Sequence, residues 1–458
     1  MAIATINPAT GATVKTFEPH DAAEIDRRTE IAHSAYRALR FTSFAERGAW
    51  MRAAADLIET EVDEVAQIVT LEMGKPIGQA KSETLKCARS MRFYASNAEG
   101  FLAYEPLDDP SSVNASRAGT RYEPLGVVLA VMPWNYPLWQ VVRFAAPALM
   151  AGNTGLLKHA SNVPQSALYL DSLFKRAGFP AGAFQALLIG SAQVEAVLND
   201  ERVRAVTLTG SEAAGRSVAS IAGHNIKKAV LELGGSDPFI IMPTANLEKA
   251  VTTAVTARTQ NNGQSCIAGK RFIIHADVYD QFARLFTQKM EALVLGDPSD
   301  VATQVGPLAT ESGRSDLAEL VNDAKLQGAT ILTGGSIPDG PGWFYPPTVI
   351  TDLHDGMRLV LEEAFGPVAT LYRAESREEA VHIANQTTFG LSSSIWTTDQ
   401  GDEDYFVDTL DVGAVFINGM TVSYPELPFG GIKDSGYGRE LAAAGIREFC
   451  NLKTIWNA

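Results

Sequence analysis

The sequence contains very little cysteine. Only three cysteines, Cys87, Cys266 and Cys450, occur among 458 residues. An odd number this small cannot supply the disulfide framework that stabilises small secreted domains. Each cysteine is therefore expected to carry a free thiol, which fits a reducing compartment, and the sequence predicts a cytoplasmic protein.

Basic clusters and long apolar runs are also missing. Acidic residues number 53 against 38 basic ones, for a net charge of −15, and no basic or basic-aromatic stripe follows the pattern of a nucleic-acid binder. The start, MAIATINPATG, does not resemble a signal peptide, and no apolar stretch approaches the roughly 18 residues that span a bilayer. The seven histidines form no HExxH-type signature. We therefore expect no nucleic-acid partner, no membrane span and no metal site.

The sequence does contain alternating helical and apolar segments. Residues 21 to 105 have helical spacing, and from about 125 amphipathic segments alternate with GVVLAVMPW, TGLLKH, FQALLIG and AVTLTG. Such alternation is typical of a parallel, doubly wound sheet. A second series, which begins with LELGG and PFIIM, predicts a second α/β domain. The polar stretch LDDPSSVNASRAGTRYEP predicts either a linker or a two-stranded arm, with which the tail NLKTIWNA could pair.

One glycine turn is a candidate phosphate loop. In AVTLTGSEAAG, Gly210 ends a predicted strand, Ser211 is the expected N-cap of a helix, and Gly215 lies one turn further on. Free N–H groups at a helix start favour anions such as a pyrophosphate. The spacing is GxxxxG rather than GxGxxG, and strand-glycine-helix turns are common, so this loop alone leaves cofactor binding open.

Glu232 has three possible roles. It lies where the dinucleotide fingerprint expects an acid that holds the ribose, about 20 residues after the glycine. Its setting, KAVLELGGSDP, is apolar, and burial there would raise its pKa toward that of a general base. A buried structural glutamate is the third possibility.

Cys266 follows the polar turn NNGQS, and this position favours an accessible thiol. A buried apolar role is the alternative, and it suits Cys87 and Cys450, which have helical spacing. A nucleophile that attacks a carbonyl needs an oxyanion donor. Asn135 in MPWNYP could be that donor or a helix N-cap. A thiol hydrolase would need a histidine base, and no histidine here has a suitable flanking motif.

These stretches together resemble the aldehyde dehydrogenase superfamily across nearly the whole chain. Nine blocks occur in the order of that family: MPWNYP, GNTGLLKHAS, TGSEAAG, LELGGSDP, NGQSC, EEAFGPV, FGLSSSIW, INGM and PFGGIKDSGYGRE. The resemblance implies an aldehyde dehydrogenase-like α/β fold. It implies a doubly wound, Rossmann-type cofactor domain at 1–108 and 123–231, an α/β catalytic domain at 232–430, and a small β oligomerisation arm and tail at 109–122 and 440–458. A homodimer or homotetramer is expected.

The resemblance also implies a mechanism. Cys266 would be the nucleophile, Asn135 and the Cys266 N–H would form the oxyanion hole, and Glu232 would be the general base. An aldehyde would be oxidised to its carboxylic acid through a thiohemiacetal and a thioester on the cysteine. For the cofactor, the resemblance implies that Lys158 contacts the adenosine ribose. Trp134 and Ser211 would lie near the pyrophosphate, at the glycine turn of Gly210 and Gly215. Glu363 and Phe365 would surround the nicotinamide ribose and ring.

Ser161 predicts which nicotinamide cofactor is preferred. NAD-preferring relatives often carry an acid three residues after the lysine that corresponds to Lys158, and this chain has Ser161 there. A carboxylate would repel a 2′-phosphate by about 1 to 4 kcal/mol at a separation of about 4 Å, depending on the dielectric. The sequence therefore predicts that NADP is preferred, with NAD as a possible second cofactor.

Arg143 suggests a carboxylate-bearing substrate. It follows Asn135 by a little over two helical turns, and its apolar neighbours require a partner anion, either an internal carboxylate or one of the substrate. The stretch resembles that of the succinate semialdehyde dehydrogenases, especially their shorter bacterial type, which implies that Arg143 and Ser423 bind the substrate carboxylate. The alternatives are a dehydrogenase of another small aldehyde, a thiol hydrolase and a non-enzymatic homologue.

Overall fold

The computed structural model describes residues 2–458 and begins with a hairpin and a helical layer. These elements are β1 (Ile3–Ile6), β2 (Thr13–Phe17), α1 (Ala22–Leu39), α2 (Phe44–Thr60), α3 (Val62–Met73) and α4 (Ile77–Phe101). The helical spacing of residues 21 to 105 predicts the four helices. The hairpin has no comparable signal, because β2 is almost wholly exposed and shows no apolar face.

Strands and helices then alternate. The first series is β3 (Glu105–Pro106), β4 (Arg117–Pro124), β5 (Val127–Met132), α5 (Trp139–Ala151), β6 (Thr154–His159), α6 (Pro164–Arg176), β7 (Phe184–Ala186), α7 (Val194–Asn199), β8 (Val203–Thr209), α8 (Glu212–His224) and β9 (Lys228–Glu232). The second is β10 (Asp237–Ile241), α9 (Leu247–Thr259), β11 (Gly269–His275), α10 (Ala276–Glu291), α11 (Glu311–Leu326), β12 (Thr330–Thr333), β13 (Thr348–Thr351), α12 (Arg358–Leu361), β14 (Val368–Ala374), α13 (Arg377–Asn385), β15 (Phe389–Gly390), β16 (Ser393–Trp396), α14 (Gln400–Thr409) and β17 (Val415–Ile417). The chain ends with β18 (Ile432–Lys433), β19 (Gly436–Tyr437), α15 (Ala442–Glu448) and β20 (Cys450–Asn457).

The first large sheet has six strands in the order β19-β9-β8-β5-β6-β7, and only the β19–β9 pair is antiparallel. The chain builds β5, β6 and β7 toward one edge and then returns to build β8 and β9 toward the other. A topological switch point therefore lies between β5 and β8. In doubly wound sheets, ligands bind in the crevice at the carboxyl ends of the strands beside this point.

Helix α5 crosses behind this sheet, and every one of its 13 residues is buried. It contacts the sheet through β5 and β6 and the helical layer through α2 and α4. A helix that is apolar on all sides needs neighbours on all sides, so the N-terminal helices are required as its cover.

The second large sheet has seven strands in the order β12-β13-β14-β11-β10-β16-β17, parallel except at β12. Strand β9 ends at Glu232 and β10 begins at Asp237. The chain therefore leaves the carboxyl edge of the first sheet and almost at once enters the amino edge of the second.

The prediction that LELGG opens the second series is wrong. Leu231 and Glu232 belong to β9, which lies parallel to β8 in the first sheet. The reason is the crossover helix α8, which returns the chain to the position beside β8 and so completes one more strand-helix-strand unit. The first sheet also gains β19 from beyond residue 430. The domain division predicted above stays an interpretation.

A smaller sheet projects from these two units in the order β20-β4-β3. Strand β20 pairs with β4 from Cys450 opposite Pro124 to Asn457 opposite Arg117. The polar stretch is therefore an arm rather than a linker, and the tail does pair with it. The arm has three strands instead of two, because Glu105 and Pro106 also pair with β4. Within residues 2–458, no helix is long and apolar enough to cross a membrane.

Glu72 ties the N-terminal hairpin to the first sheet's helices. Its buried carboxylate accepts hydrogen bonds from the Thr5 hydroxyl (2.7 Å), the Gln165 N–H (2.8 Å), and both the N–H (3.0 Å) and hydroxyl (2.8 Å) of Ser166. Gln165 and Ser166 begin α6, so the carboxylate also satisfies free N–H groups at a helix start.

We predict that Glu72→Ala lowers the free energy of unfolding by about 3 kcal/mol, because several buried donors lose their acceptor at once. Urea denaturation followed by circular dichroism measures this change. Glu64→Ala is the matched control, since Glu64 is an exposed residue of the same helix. Equal stability of the two variants would contradict the assigned role of Glu72.

Candidate active site

The catalytic and cofactor candidates converge where the two large sheets meet. Trp134 and Asn135 follow β5, Lys158 lies near the end of β6, Gly210 and Ser211 follow β8, and Glu232 ends β9. All of these are at the carboxyl edge of the first sheet. Cys266 precedes β11 and therefore lies at the amino edge of the second. The site is built from both sheets.

The loop that carries Cys266 is buried rather than exposed. Asn261, Asn262, Gly263, Gln264 and Ser265 are all buried, and Cys266 itself is partly accessible. The expectation that a polar turn exposes its side chains is therefore wrong for most of NNGQSC. The polar groups are buried because they satisfy one another and the surrounding backbone.

Two asparagines hold this loop. Asn261 and Asn262 adopt φ values of +59° and +57°, a region that asparagine tolerates better than most residues. The Asn261 amide donates to the carbonyl oxygens of Asn135 and Gln264, both at 2.8 Å. The Asn262 amide donates to the carbonyls of Gly74 (2.8 Å) and Pro307 (2.9 Å). The backbone of the catalytic loop is thus tied to the turn that carries Asn135.

Asn135 is buried, and its amide nitrogen donates to the Gln264 carbonyl at 3.1 Å. An amide nitrogen has two N–H groups, so one remains to meet an oxyanion beside Cys266. The turn of Asn135 is braced from two sides. The Glu83 carboxylate accepts from the N–H groups of Leu138 and Trp139, both at 2.9 Å, and the His159 Nε2 lies 2.9 Å from the Pro137 carbonyl.

Glu232 is buried beside a second carboxyl group. In the described structure neither of its oxygens has a hydrogen-bond partner. Burial, and then the negative charge of Glu440, raise the pKa of Glu232 well above its ordinary value, while Arg143 opposes the rise. A carboxyl group held this way is protonated to unusually high pH and, once deprotonated, is a stronger base.

Arg143 has an internal partner. Its guanidinium forms a buried ion pair with Glu440 and lies over the ring of Phe429, 4.6 Å from its centroid. The Nη2 atom is also 3.4 Å from the Thr209 hydroxyl. The apolar neighbours of Arg143 predicted a partner anion, either an internal carboxylate or one of the substrate. The structure provides an internal carboxylate, that of Glu440. Arg143 nevertheless lines the cavity that reaches Cys266.

The surroundings of Cys266 favour the neutral thiol over the thiolate. Burial raises its pKa to about 12, although the positive charges of Arg143 and Lys270 lower it in part. The Lys270 ammonium donates to the carbonyl oxygens of Ser265 and Cys266, both at 2.8 Å, and is 2.8 Å from a carboxylate oxygen of Glu363. Lys270 therefore links the catalytic loop to a candidate cofactor residue.

The candidate phosphate loop has the predicted local structure. Strand β8 ends at Thr209, and the exposed Ser211 caps α8 by accepting from the Ala214 N–H at 3.4 Å. Packing also favours glycine at position 215, because a Cβ there would lie 2.7 Å from a methyl carbon of Leu233. The free helix start beside Gly210 can accept an anion.

The other cofactor candidates lie around the same crevice. The rings of Trp134 and Phe365 meet edge to face with centroids 5.6 Å apart, and a carboxylate oxygen of Glu363 faces Gly234, where an added Cβ would come within 2.7 Å. Lys158 is partly buried, and burial alone lowers its pKa. The backbone carbonyl of Ser161 accepts a hydrogen bond from the Ala4 N–H at 3.0 Å, and the Ser161 side chain takes no part in that bond.

A cavity of roughly 180 Å³ leads to Cys266. Arg143 and Ser423 both line it, as predicted for substrate residues. The Ser423 hydroxyl accepts from the Trp139 indole N–H and from the Lys86 ammonium, both at 2.9 Å. In the part of the chain that the structure describes, no histidine lines this cavity, and no group of three or more potential metal ligands occurs.

Several residues of this site have no distinctive signal in the sequence. Lys86, Trp139, Lys270 and Glu440 are distant from one another along the chain, and none lies in a spacing that indicates chemistry. The one available hint is on α4, where the charged Glu83 is buried on the helix's apolar face. A charge in such a position requires a partner.

Comparison with known proteins gives the family. The model of the aldehyde dehydrogenase family matches residues 1–455. The chain is 63% identical over 457 residues to a succinate-semialdehyde dehydrogenase (NADP(+)) of Mycobacterium avium, covering 100% of this chain and 97% of the relative. It is 62% identical over 458 residues to one of Mycobacterium tuberculosis, covering 100% of both chains.

A solved structure agrees with these matches. The succinic semialdehyde dehydrogenase from Streptococcus pyogenes, in complex with NADP+ as the cofactor, is 38% identical with a TM-score of 0.96 and covers 99% of each chain. The chain therefore belongs to the aldehyde dehydrogenase family, and the resemblance found in its sequence is confirmed, as is the aldehyde dehydrogenase-like α/β fold.

The state of the thiol can be measured directly. We predict that alkylation of Cys266 by iodoacetamide accelerates about tenfold per pH unit from pH 7 to 9 without a plateau, because only the thiolate reacts and burial raises the pKa to about 12. Peptide mass spectrometry at timed intervals gives the rate at each cysteine. Cys266→Ala reports any background at the buried Cys87 and Cys450. A plateau below pH 8 would show that the resting thiol is already ionised.

Proposed function

We propose that this protein oxidises succinate semialdehyde to succinate with NADP+, with Cys266 as the nucleophile. One observation carries the proposal: the wall of the cavity that reaches Cys266 contains more cationic side chains than carboxylates, which suits a carboxylate-bearing aldehyde. The names of the relatives at 62–63% identity agree with this substrate and cofactor. The family membership already makes the protein an aldehyde dehydrogenase.

The first chemical step forms a bond between the Cys266 sulfur and the aldehyde carbon. The thiol must lose its proton to water in this step, since burial favours the neutral form. Negative charge develops on the former carbonyl oxygen, and the free N–H of Asn135 and the Cys266 N–H donate to it. Such fixed donors stabilise the transition state because they need no reorientation as the charge appears.

The second stage converts the thiohemiacetal to an acid. Bound NADP+ would supply an acceptor for the hydride that the substrate carbon releases. A thioester of Cys266 then remains, and deprotonated Glu232 removes a proton from the water that attacks it. The raised pKa of Glu232 makes it a stronger base, and Arg143 limits the rise so that a deprotonated fraction is available.

The residues around the crevice fit NADP+. The start of α8 at Ser211 can bind a phosphate. The ring of Trp134, assigned to the pyrophosphate, contacts the ring of Phe365, assigned with Glu363 to the nicotinamide, so the two parts of the cofactor site adjoin. Within residues 2–458, burial alone lowers the pKa of Lys158 and no carboxylate acts on it, so its charge is not neutralised by a nearby acid. We therefore propose that Lys158 and Ser161 receive the ribose and its 2′-phosphate, with NAD as the weaker cofactor.

For the substrate, we propose that its carboxylate binds at the end of the cavity that contains Arg143 and Ser423. Ser423 accepts two hydrogen bonds and can still donate its own proton to an anion. Arg143 contributes positive charge there, although Glu440 shares it.

We also propose a cytoplasmic homo-oligomer, either a dimer or a tetramer. The three cysteines are free. The arm offers a surface for a second copy, because β20 is the outer strand of its sheet and exposes Leu452 and Trp456, each 53% accessible.

The function is tested by absorbance at 340 nm with succinate semialdehyde and NADP+. We expect the wild-type protein to form NADPH and succinate in equal amounts and Cys266→Ala to form neither. With Glu232→Gln we expect a burst of about one NADPH per site followed by slow turnover, because the thioester forms but is not hydrolysed. Cys450→Ala is the control thiol variant. Turnover by Cys266→Ala at the wild-type rate would disprove the proposal.

Cofactor choice is tested at Ser161. We predict a wild-type kcat/KM for NADP+ above that for NAD+, and a fall of at least about tenfold in that ratio for Ser161→Asp, since a carboxylate would repel the 2′-phosphate. Ser161→Ala adds no charge and should keep the wild-type ratio. An unchanged ratio in Ser161→Asp would show that the phosphate binds elsewhere.

A further inference from the structure

The cavity that reaches Cys266 has three cationic side chains in its wall: Lys75, Lys86 and Arg143. Two of them are neutralised inside the protein. Lys75 forms a buried ion pair with Glu83, and Arg143 forms one with Glu440. A ligand could bind either cation only by separating a buried ion pair. That separation costs free energy, because it leaves a buried charge unpaired.

Lys86 differs from the other two. Its ammonium donates to the Ser423 hydroxyl at 2.9 Å and lies 4.2 Å from the ring centroid of Trp139. In the described chain, residues 2–458, no carboxylate lies within ion-pair distance of it. The charged groups that act on it are Arg143, Lys75 and Glu83, and the buried thiol of Cys87 nearby is neutral. The end of the cavity therefore has one uncompensated positive charge.

The position of Lys86 on α4 directs it to the cavity. Gln79, Ser82, Glu83 and Lys86 all line the cavity, and their spacing of three and four residues places them on one face of the helix. Trp139 and Ser423 come from α5 and from the segment after β17, so three separate elements meet at this ammonium.

We propose that Lys86 is the specificity-determining residue of this enzyme: its ammonium, together with the Ser423 hydroxyl, binds the carboxylate of the aldehyde substrate. This inference rests on the proposed function. It assigns Arg143 a different task, which is to hold Glu440 beside Glu232. An ammonium over an indole ring and next to a hydroxyl is partly desolvated, so an entering carboxylate replaces few water contacts and gains a charge-assisted hydrogen bond.

Electrostatics support this assignment. Burial, and then the charge of Arg143, lower the pKa of Lys86 to about 8. The ammonium is charged below that pH and neutral above it, and only the charged form binds a carboxylate strongly. Recognition of an anionic aldehyde should therefore weaken as the pH rises above about 8, while a neutral aldehyde should show no such loss.

The experiment compares succinate semialdehyde with butanal, a neutral aldehyde of the same chain length. The quantity measured is the ratio of their kcat/KM values with NADP+. We expect Lys86→Met to lower this ratio at least about thirtyfold, mainly through KM for the anionic aldehyde, with a much smaller change in kcat/KM for butanal. Lys81→Met is the matched control, because Lys81 is a partly exposed residue of the same helix that pairs with Asp63 and does not line the cavity.

A second variant separates recognition from packing. Lys86→Arg keeps the positive charge at every accessible pH. We expect it to retain most of the substrate preference and to abolish the decline of the kcat/KM ratio that the wild-type protein shows between pH 7 and 9.5. A merely structural role for Lys86 would produce no difference between the two pH profiles, so this arm decides the matter even if the Met variant folds poorly.

Arg143→Met completes the comparison. We expect it to reduce kcat for both aldehydes alike, because Glu440 and Glu232 lose their countercharge. A selective loss of succinate semialdehyde in Arg143→Met, with an intact preference in Lys86→Met, would overturn the assignment of Lys86 and leave the proposed function standing. A wild-type protein with no preference for succinate semialdehyde over butanal would overturn both proposals.

Discussion

The active site depends on a close approach of backbone at Gly234 and Gly235. A Cβ on Gly234 would lie 2.4 Å from a carboxylate oxygen of Glu212 and 2.7 Å from one of Glu363, and a Cβ on Gly235 would lie 2.6 Å from the Cys266 carbonyl. A side chain at Gly235 would collide with the backbone of the Cys266 loop and push the two sheets apart, whereas one at Gly234 would displace the carboxylates of Glu212 and Glu363. With glycines there, Glu232 at the end of β9, the Cys266 loop before β11 and the cofactor candidates share one crevice.

Burial then sets the chemistry of this crevice. It raises the pKa of Glu232 and of Cys266, and so it favours the neutral forms of both groups. The buried cations Arg143 and Lys270 oppose this effect and also bind carboxylates, Glu440 and Glu363. Most charges of the site are therefore paired with an opposite charge. An additional anion binds most favourably beside a cation that has no partner.

Local patterns were sufficient for much of the fold and for part of the site. Alternation of apolar and amphipathic segments predicts the parallel sheets, and the turn at Gly210 and Ser211 follows from strand and capping rules. The blocks around Asn135, Glu232 and Cys266 indicate the family by resemblance. The same rules fail for LELGG, whose place in the first sheet follows from a crossover rather than from its own residues. They fail also for NNGQS, whose polar side chains are buried because distant carbonyls accept their hydrogen bonds.

The sequence by itself indicated the class of protein through the resemblance of its short motifs to those of the aldehyde dehydrogenase family, because such motifs are runs of neighbouring residues. Only the tertiary structure decided which charges are paired. In the sequence, Lys75, Lys86 and Arg143 are simply three cationic residues. In the described structure, Lys75 and Arg143 each form an ion pair with a carboxylate, whereas Lys86 donates to the Ser423 hydroxyl instead. That difference arises because electrostatic energy depends on separation in space, and Glu440 approaches Arg143 only after the whole chain has folded.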